Sequence, residues 1–174
     1  KHIPGVDMSS GSLGQGISAA VGMAIAAKLS GDSYRVYTLL GDGEIQEGQV
    51  WEAAMLAAHR KLDNLVVIVD NNNLQIDGAI DDVNSPYPID KKFEAFNFHV
   101  INIDGHDFDA IAAAFKEARE TKGQPTAIIA KTVKGKGVSF MENQASWHGA
   151  APNDEQYEVA MADLEKVGEA LCQK

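Results

Sequence analysis

The chain has 174 residues, enough for one domain with a sizeable core, and its 45% apolar and 23% charged composition is ordinary for a globular protein. Fifteen Lys and Arg against 25 Asp and Glu leave a formal charge of −10 with no dense basic stretch, which argues against a nucleic-acid surface. No apolar run approaches the roughly 20 residues of a membrane helix, no secretory leader pattern stands at the front, and the lone Cys172 has no internal disulfide partner, which fits a cytoplasmic location.

The chain opens Lys-His-Ile-Pro, and a glycine-rich motif follows within a dozen residues, so a domain incomplete at its N-terminus is expected. Leu13 to Leu29, rich in Ala, Gly and Ile, has helical spacing. Val36 to Leu40 is a short, nearly continuous apolar run of the kind buried on both faces of a parallel sheet. A helix over Val50 to His59 places Trp51, Ala54, Met55 and Ala58 on one face, and Leu65 to Val69 is a second strand. Pro86 and Pro88 make Ile80 to Lys92 a loop leading to a short helix. Val100 to Ile103 and Ala127 to Ala130 read as strands, separated by a helix over Phe108 to Arg119 with Phe108, Ile111, Ala112 and Phe115 aligned. Asp154 to Leu171 reads as a last helix capped by Asn153 or Asp154, with charges on its outer face. Strand and helix alternating with short loops predict one α/β domain over 1–174, with helices on both faces of a mainly parallel sheet.

Two of the predicted strands end in polar, turn-forming sequences. Leu39-Leu40 runs into Gly41-Asp42-Gly43, and Val69-Asp70 into Asn71-Asn72-Asn73. Both follow buried strands one crossover apart, at the sheet end where open α/β folds bind ligands. The carboxylate of Asp42, the carboxamide of Asn72 and a carbonyl from the loop after it can form a half-shell of oxygens suited to Mg2+ shared with a phosphate group. The glycines around Asp42 permit a sharp turn and close approach of a bulky anion. Either tripeptide alone reads more simply as a turn. Lys131-Thr-Val-Lys134-Gly-Lys136-Gly lacks the spacing of a phosphate-binding P-loop, so a solvated basic turn is expected there.

Gly41-Asp42-Gly43 closing with Asn71-Asn72 resembles the thiamine diphosphate motif. Val6 to Gly16, Glu47-Gly48, Ile76-Asp77-Gly78 and Ser146-Trp147-His148-Gly149 resemble, in order, further segments of the transketolase family. The resemblance implies the family's thiamine-diphosphate-binding fold, a three-layer α/β/α sandwich. It implies Mg2+ (with Ca2+ or Mn2+ able to substitute) held by Asp42, Asn72 and the main-chain oxygen of Leu74. Gly41, Asp42, Gly43 and Asn72 would meet the diphosphate end, Gly11, Ser12 and Leu13 the aminopyrimidine, and Ile76 the thiazolium. His148 corresponds to a histidine near the diphosphate and the sugar, and Glu47 to an acid that meets the partner domain. Read without the resemblance, Glu47 is a first-turn helix acid, His148 a solvated histidine, and Gly14 and Gly16 aids to tight packing of the first helix.

The function so implied is ketol transfer from a ketose phosphate to an aldose phosphate. It requires a pyrimidine-binding domain or a C-terminal transketolase subunit, and hence a homo- or hetero-oligomer, because this chain has no second α/β domain. Neither nucleic acid nor membrane is an expected partner. His2 stands in no matching motif. A deoxyxylulose-phosphate synthase-like domain, an inactive cofactor-binding fragment, and a phospho-receiver built on Asp70, Asp81 and Asp82 are the alternatives.

Overall fold

In the computed structural model, which describes residues 3–172, the four apolar runs become the strands of one parallel sheet. Helix α1 (Gly16–Ser30) leads into β1 (Val36–Gly41), and α2 (Gly48–His59) into β2 (Leu65–Asn71). A small hairpin, β3 (Leu74–Gln75) and β4 (Gly78–Ala79), precedes α3 (Ile80–Val83), α4 (Ile89–Ala95) and β5 (His99–Asp104). Helix α5 (Phe108–Glu120) returns to β6 (Thr126–Lys131), and α6 (Asp154–Cys172) follows a long loop. His2 lies outside the described residues.

The strand order is β1-β2-β6-β5. The chain crosses the sheet in one direction from β1 to β2 to β5 and reverses to reach β6. Right-handed crossovers therefore put α2 and α4 on one face and α5 on the other. Alternation along the strands builds two cores. Leu65, Val67, Val69, Ala127 and Ile129 pack with α1, α2 and α4, while Val66 and Ile128 pack with Ala114 and Ala118 of α5. This is the expected three-layer arrangement. The α5 face is the thinner one: Leu39 is 68% exposed on the edge strand, and Leu39, Ile68 and Ile103 line a cavity of about 450 Å3 beside Ile111 and Phe115.

Several boundaries and faces differ from those expected. Helix α1 begins at Gly16 rather than Leu13, because Gly14 sits at φ +89 and breaks the helical path. In α2 the buried stripe is Val50, Ala53, Ala54 and Ala57, leaving Met55 60% exposed. In α5 it is Ala114 and Ala118, with Phe108 83% exposed. Both helices meet the sheet through alanines, which allow close approach and turn the larger residues sideways. The Ile80 to Lys92 segment opens with the short helix α3, not with loop. Asn153, not Asp154, caps α6: its Oδ1 accepts the Gln156 N–H at 2.8 Å and Gln156 Oε1 accepts the Asn153 N–H at 2.9 Å.

Candidate functional site

Asp42 follows the last residue of β1 and continues the ladder by one bond, its N–H donating to the Asp70 carbonyl at 3.1 Å. Its side chain is 1% exposed. Oδ1 accepts the Gly43 N–H at 2.9 Å and Oδ2 accepts the Asn73 N–H at 2.6 Å, so each oxygen is oriented and keeps a lone pair free. Burial acts most strongly on the carboxyl. The N–H groups of Asn73 and Gly43 oppose it, the charge of Asp70 adds to it, and the net effect holds the group above the usual carboxylate range. Asp70 itself accepts the Thr132 hydroxyl, which ties the ends of β2 and β6 together.

Asn72 follows β2 directly and is 9% exposed. Its Oδ1 accepts the Leu74 N–H at 3.0 Å, bending the chain into the β3–β4 hairpin. The structure thus brings Asp42, Asn72 and Leu74 to one place through Asn73, whose N–H reaches Asp42 and whose φ of 64° makes the turn. Tyr87 supports the loop from outside, its hydroxyl lying against the side-chain oxygen of Asn71 at 2.5 Å and against that of Asn73. A hydroxyl has one proton to donate, so one of those carboxamides must turn its N–H2 group toward the phenol. Ile76 sits on the hairpin turn and is 67% exposed, an apolar side chain presented outward.

Gly43 departs from its expected role. Its φ of −68° is open to any residue, so no special turn is required. What it supplies is room: a Cβ there would lie 3.2 Å from the Gln75 Cβ. The glycine-rich segment joins the site through Glu44, whose Oε2 accepts the Gly41 N–H at 3.1 Å and whose Oε1 accepts the Gly14 N–H at 2.8 Å. Gly11, Ser12 and Leu13 lie just before that tether and are exposed. Glu47 is the N-terminal cap position of α2, is exposed, and covers Gly14 with its Cβ and Cγ. Tight packing at this glycine is real, whereas Gly16 has nothing within 4 Å of its would-be Cβ.

His148 ends the short 3-10 turn Ala145–Trp147, is exposed, and lies on the turn that packs beside β4. Lys136 pairs with Glu142 at 3.7 Å, as a solvated basic turn would, while Lys134 lines the α5-side cavity with Asp70 and Asn72. The receiver alternative finds no acidic cluster among the described residues: Asp81 accepts the Ser85 hydroxyl at 2.5 Å within its own loop. Sequence reasoning missed Glu44, Asn73, Gln75 and Tyr87. Their parts in the site depend on partners in other segments, and no local pattern marks them.

The donors gathered at Asp42 are a carboxylate, a carboxamide and main-chain oxygens, and no group of three or more His, Cys, Asp or Glu able to hold a metal occurs among the described residues. No helix among the described residues is long and apolar enough to cross a membrane. Residues 1–166 match the family model for the transketolase thiamine diphosphate binding domain. The 6-deoxy-6-sulfo-D-fructose transketolase subunit SqwG of Clostridium sp. (strain MSTE9) is 46% identical over 164 residues, which cover 94% of this chain and 60% of that protein. One of the two apulose-4-phosphate transketolase chains of Actinobacillus succinogenes is 44% identical over 165 residues, 94% of this chain and 59% of that protein. The chain spans about three fifths of the length of these two relatives. Crystalline transketolase from Campylobacter jejuni superposes with a TM-score of 0.85 at 38% identity, covering 91% of this chain and 26% of that one. A family match from residue 1 to residue 166, on a fold shared with a solved transketolase, means that this chain belongs to the transketolase family as a thiamine diphosphate binding domain.

Proposed function

We propose that this chain is the diphosphate- and Mg2+-binding part of a transketolase, moving a two-carbon ketol unit from a ketose phosphate to an aldose phosphate in company with a pyrimidine-binding domain or C-terminal subunit. One observation carries the reading: the Asp42 carboxylate is buried, is held by two main-chain N–H groups, and receives no bond from Lys, Arg or His among the described residues. A buried carboxylate without a cation is costly. Asp70 nearby makes it costlier, and a divalent cation with oxygen preference removes the conflict. The residues present therefore fit Mg2+, with Asp42, Asn72 and the Leu74 carbonyl as the protein's ligands and Gly41 and Gly43 beside the diphosphate.

When bound, thiamine diphosphate supplies the electron sink that lets a carbon–carbon bond beside a ketone break and re-form. The chain's own residues bind and orient. Gly11, Ser12 and Leu13 face the aminopyrimidine end, and Ile76 offers an apolar side chain to the ring between the two ends. His148 is exposed and free to give or take a proton at a substrate oxygen, a role worth about 10^2–10^4-fold in rate. Glu47 stands exposed beside the glycine-rich segment, where a pyrimidine-binding partner would meet it. By itself the chain binds cofactor and turns over no sugar. The names of the two relatives, one a sulfo-sugar enzyme and one a sugar-phosphate enzyme, support an anionic sugar as substrate.

The test is calorimetric titration of thiamine diphosphate, with and without Mg2+, against the chain and its Asp42→Ala variant. Mg2+-dependent binding that disappears in the variant is the expected result. Binding that ignores both Mg2+ and the substitution would remove the assignment.

A further inference from the structure

We propose that Glu44 is a positioning residue that fixes the distance between the two ends of the cofactor site, an inference that rests on the function proposed above. From Ile3 to Leu13, no hydrogen bond joins the segment to the rest of the domain among the described residues; the bonds made there, such as Val6 N–H to Ile3 O and Ser10 Oγ to Ser12 O, stay inside it. The first tether is the Gly14 N–H on Glu44 Oε1, at 2.8 Å. The other oxygen of the same carboxylate holds the Gly41 N–H at 3.1 Å, next to Asp42. One side chain therefore sets the glycine-rich segment against the end of β1.

The chemistry of the link requires a carboxylate. Both partners are N–H donors, and an ionised carboxyl has only acceptors, so it satisfies the two at once. A carboxamide must present N–H2 to one of them, losing a bond and placing donor against donor. The direction of the Gly14 N–H is fixed independently, because Gly14 has φ +89 and lies under Glu47, with 2.8 Å between a would-be Cβ and the Glu47 Cβ. Gln15 and Gln49 exchange amide bonds at 2.7 and 2.9 Å, which anchors the chain just after the tether and leaves Gly11, Ser12 and Leu13 dependent on Glu44.

Two probes separate the ends of the site. Inorganic pyrophosphate with Mg2+ reads the Asp42 end alone, and thiamine diphosphate with Mg2+ reads both. In Glu44→Gln and Glu44→Ala, pyrophosphate affinity should stay within about twofold, and thiamine diphosphate affinity should fall about 10- to 100-fold, the loss of one charge-assisted bond. Hydrogen exchange at the Gly14 amide, followed by NMR in the cofactor-free chain, should speed up by a similar factor in Glu44→Ala while the β2 and β6 amides stay protected. Equal loss of both probes, or unchanged thiamine diphosphate affinity, overturns the proposal. So does unchanged Gly14 exchange. Failure of the unsubstituted chain to bind either probe strikes the thiamine reading itself, and the exchange measurement still decides whether Glu44 holds the segment.

Discussion

Replacing Gly14 by alanine should be among the most damaging single-methyl additions in this chain, while the same change at Gly16, two residues on, should do no harm. At Gly14 the backbone has φ +89, where an L side chain costs about 1–2 kcal/mol. The new methyl would lie 2.8 Å from the Glu47 Cβ and 3.0 Å from its Cγ. Carbon atoms settle at about 3.5–4.0 Å, so one segment must move by close to an ångström, and forced repacking of that kind costs about 1–3 kcal/mol. The sum is about 2–5 kcal/mol, a large fraction of the roughly 5–15 kcal/mol that holds a domain together. Gly16 is the first residue of α1 and has open space where its Cβ would stand. Alanine there gains up to about 1 kcal/mol of helix propensity. Urea unfolding of both variants beside the parent reads the difference directly, as a shifted midpoint at constant slope. Similar midpoints for the two variants would refute the reasoning, since only the contact with Glu47 and the sign of φ separate them.

Asp42 makes cation binding pH-dependent. Its folded carboxyl lies above the ordinary range, so between the unfolded and folded pKa values the folded state holds an extra proton and stability falls as pH rises. Thermal melts at neutral pH should therefore show a gain from Mg2+ with thiamine diphosphate, about 2.7 kcal/mol at a hundredfold excess over Kd, and that gain should fade as acid protonates Asp42; a gain independent of pH counts against it. Asp63 works with the opposite sign. Burial raises its carboxyl, but the Gly123 N–H at 2.9 Å and the Lys28 ammonium at 2.7 Å more than offset this and hold it low. Asp63→Ala should cost about 1–3 kcal/mol at neutral pH, with the difference from the parent vanishing in acid as pH drops through the folded pKa; a pH-independent difference would show that the charge is not responsible. His148→Ala should leave the melting temperature unchanged, because the side chain is exposed. With the partner restored it should slow ketol transfer about 10^2–10^4-fold; unchanged turnover would make His148 a solvated bystander.

The helices and strands were readable because their signals are local. A run such as Leu65 to Val69 announces a strand buried on both faces, and the spacing of Val50, Ala53, Ala54 and Ala57 announces a helix. Placing Asp42 and Asn72 at the ends of neighbouring strands followed from chain order and the rule that parallel strands bind ligands at their C-terminal ends. The helix faces were less legible. Phe108 and Met55 look like core residues by hydropathy, yet the alanines beside them are buried, because close helix–sheet contact favours the smallest side chain.

What the chain determined by itself was the α/β class, the order of its elements and the two strand-end motifs, since each depends on residues adjacent in sequence or one helical turn apart. Only the tertiary structure decided that Glu44 reaches both Gly14 and Gly41, that Gly43 is needed for space against Gln75, and that Tyr87 braces Asn71 and Asn73. Those contacts join segments whose separation is closed only when the sheet assembles. A hydrogen bond has direction and a reach of about 3 Å, so no pattern along the chain can say which donor a given carboxylate will meet.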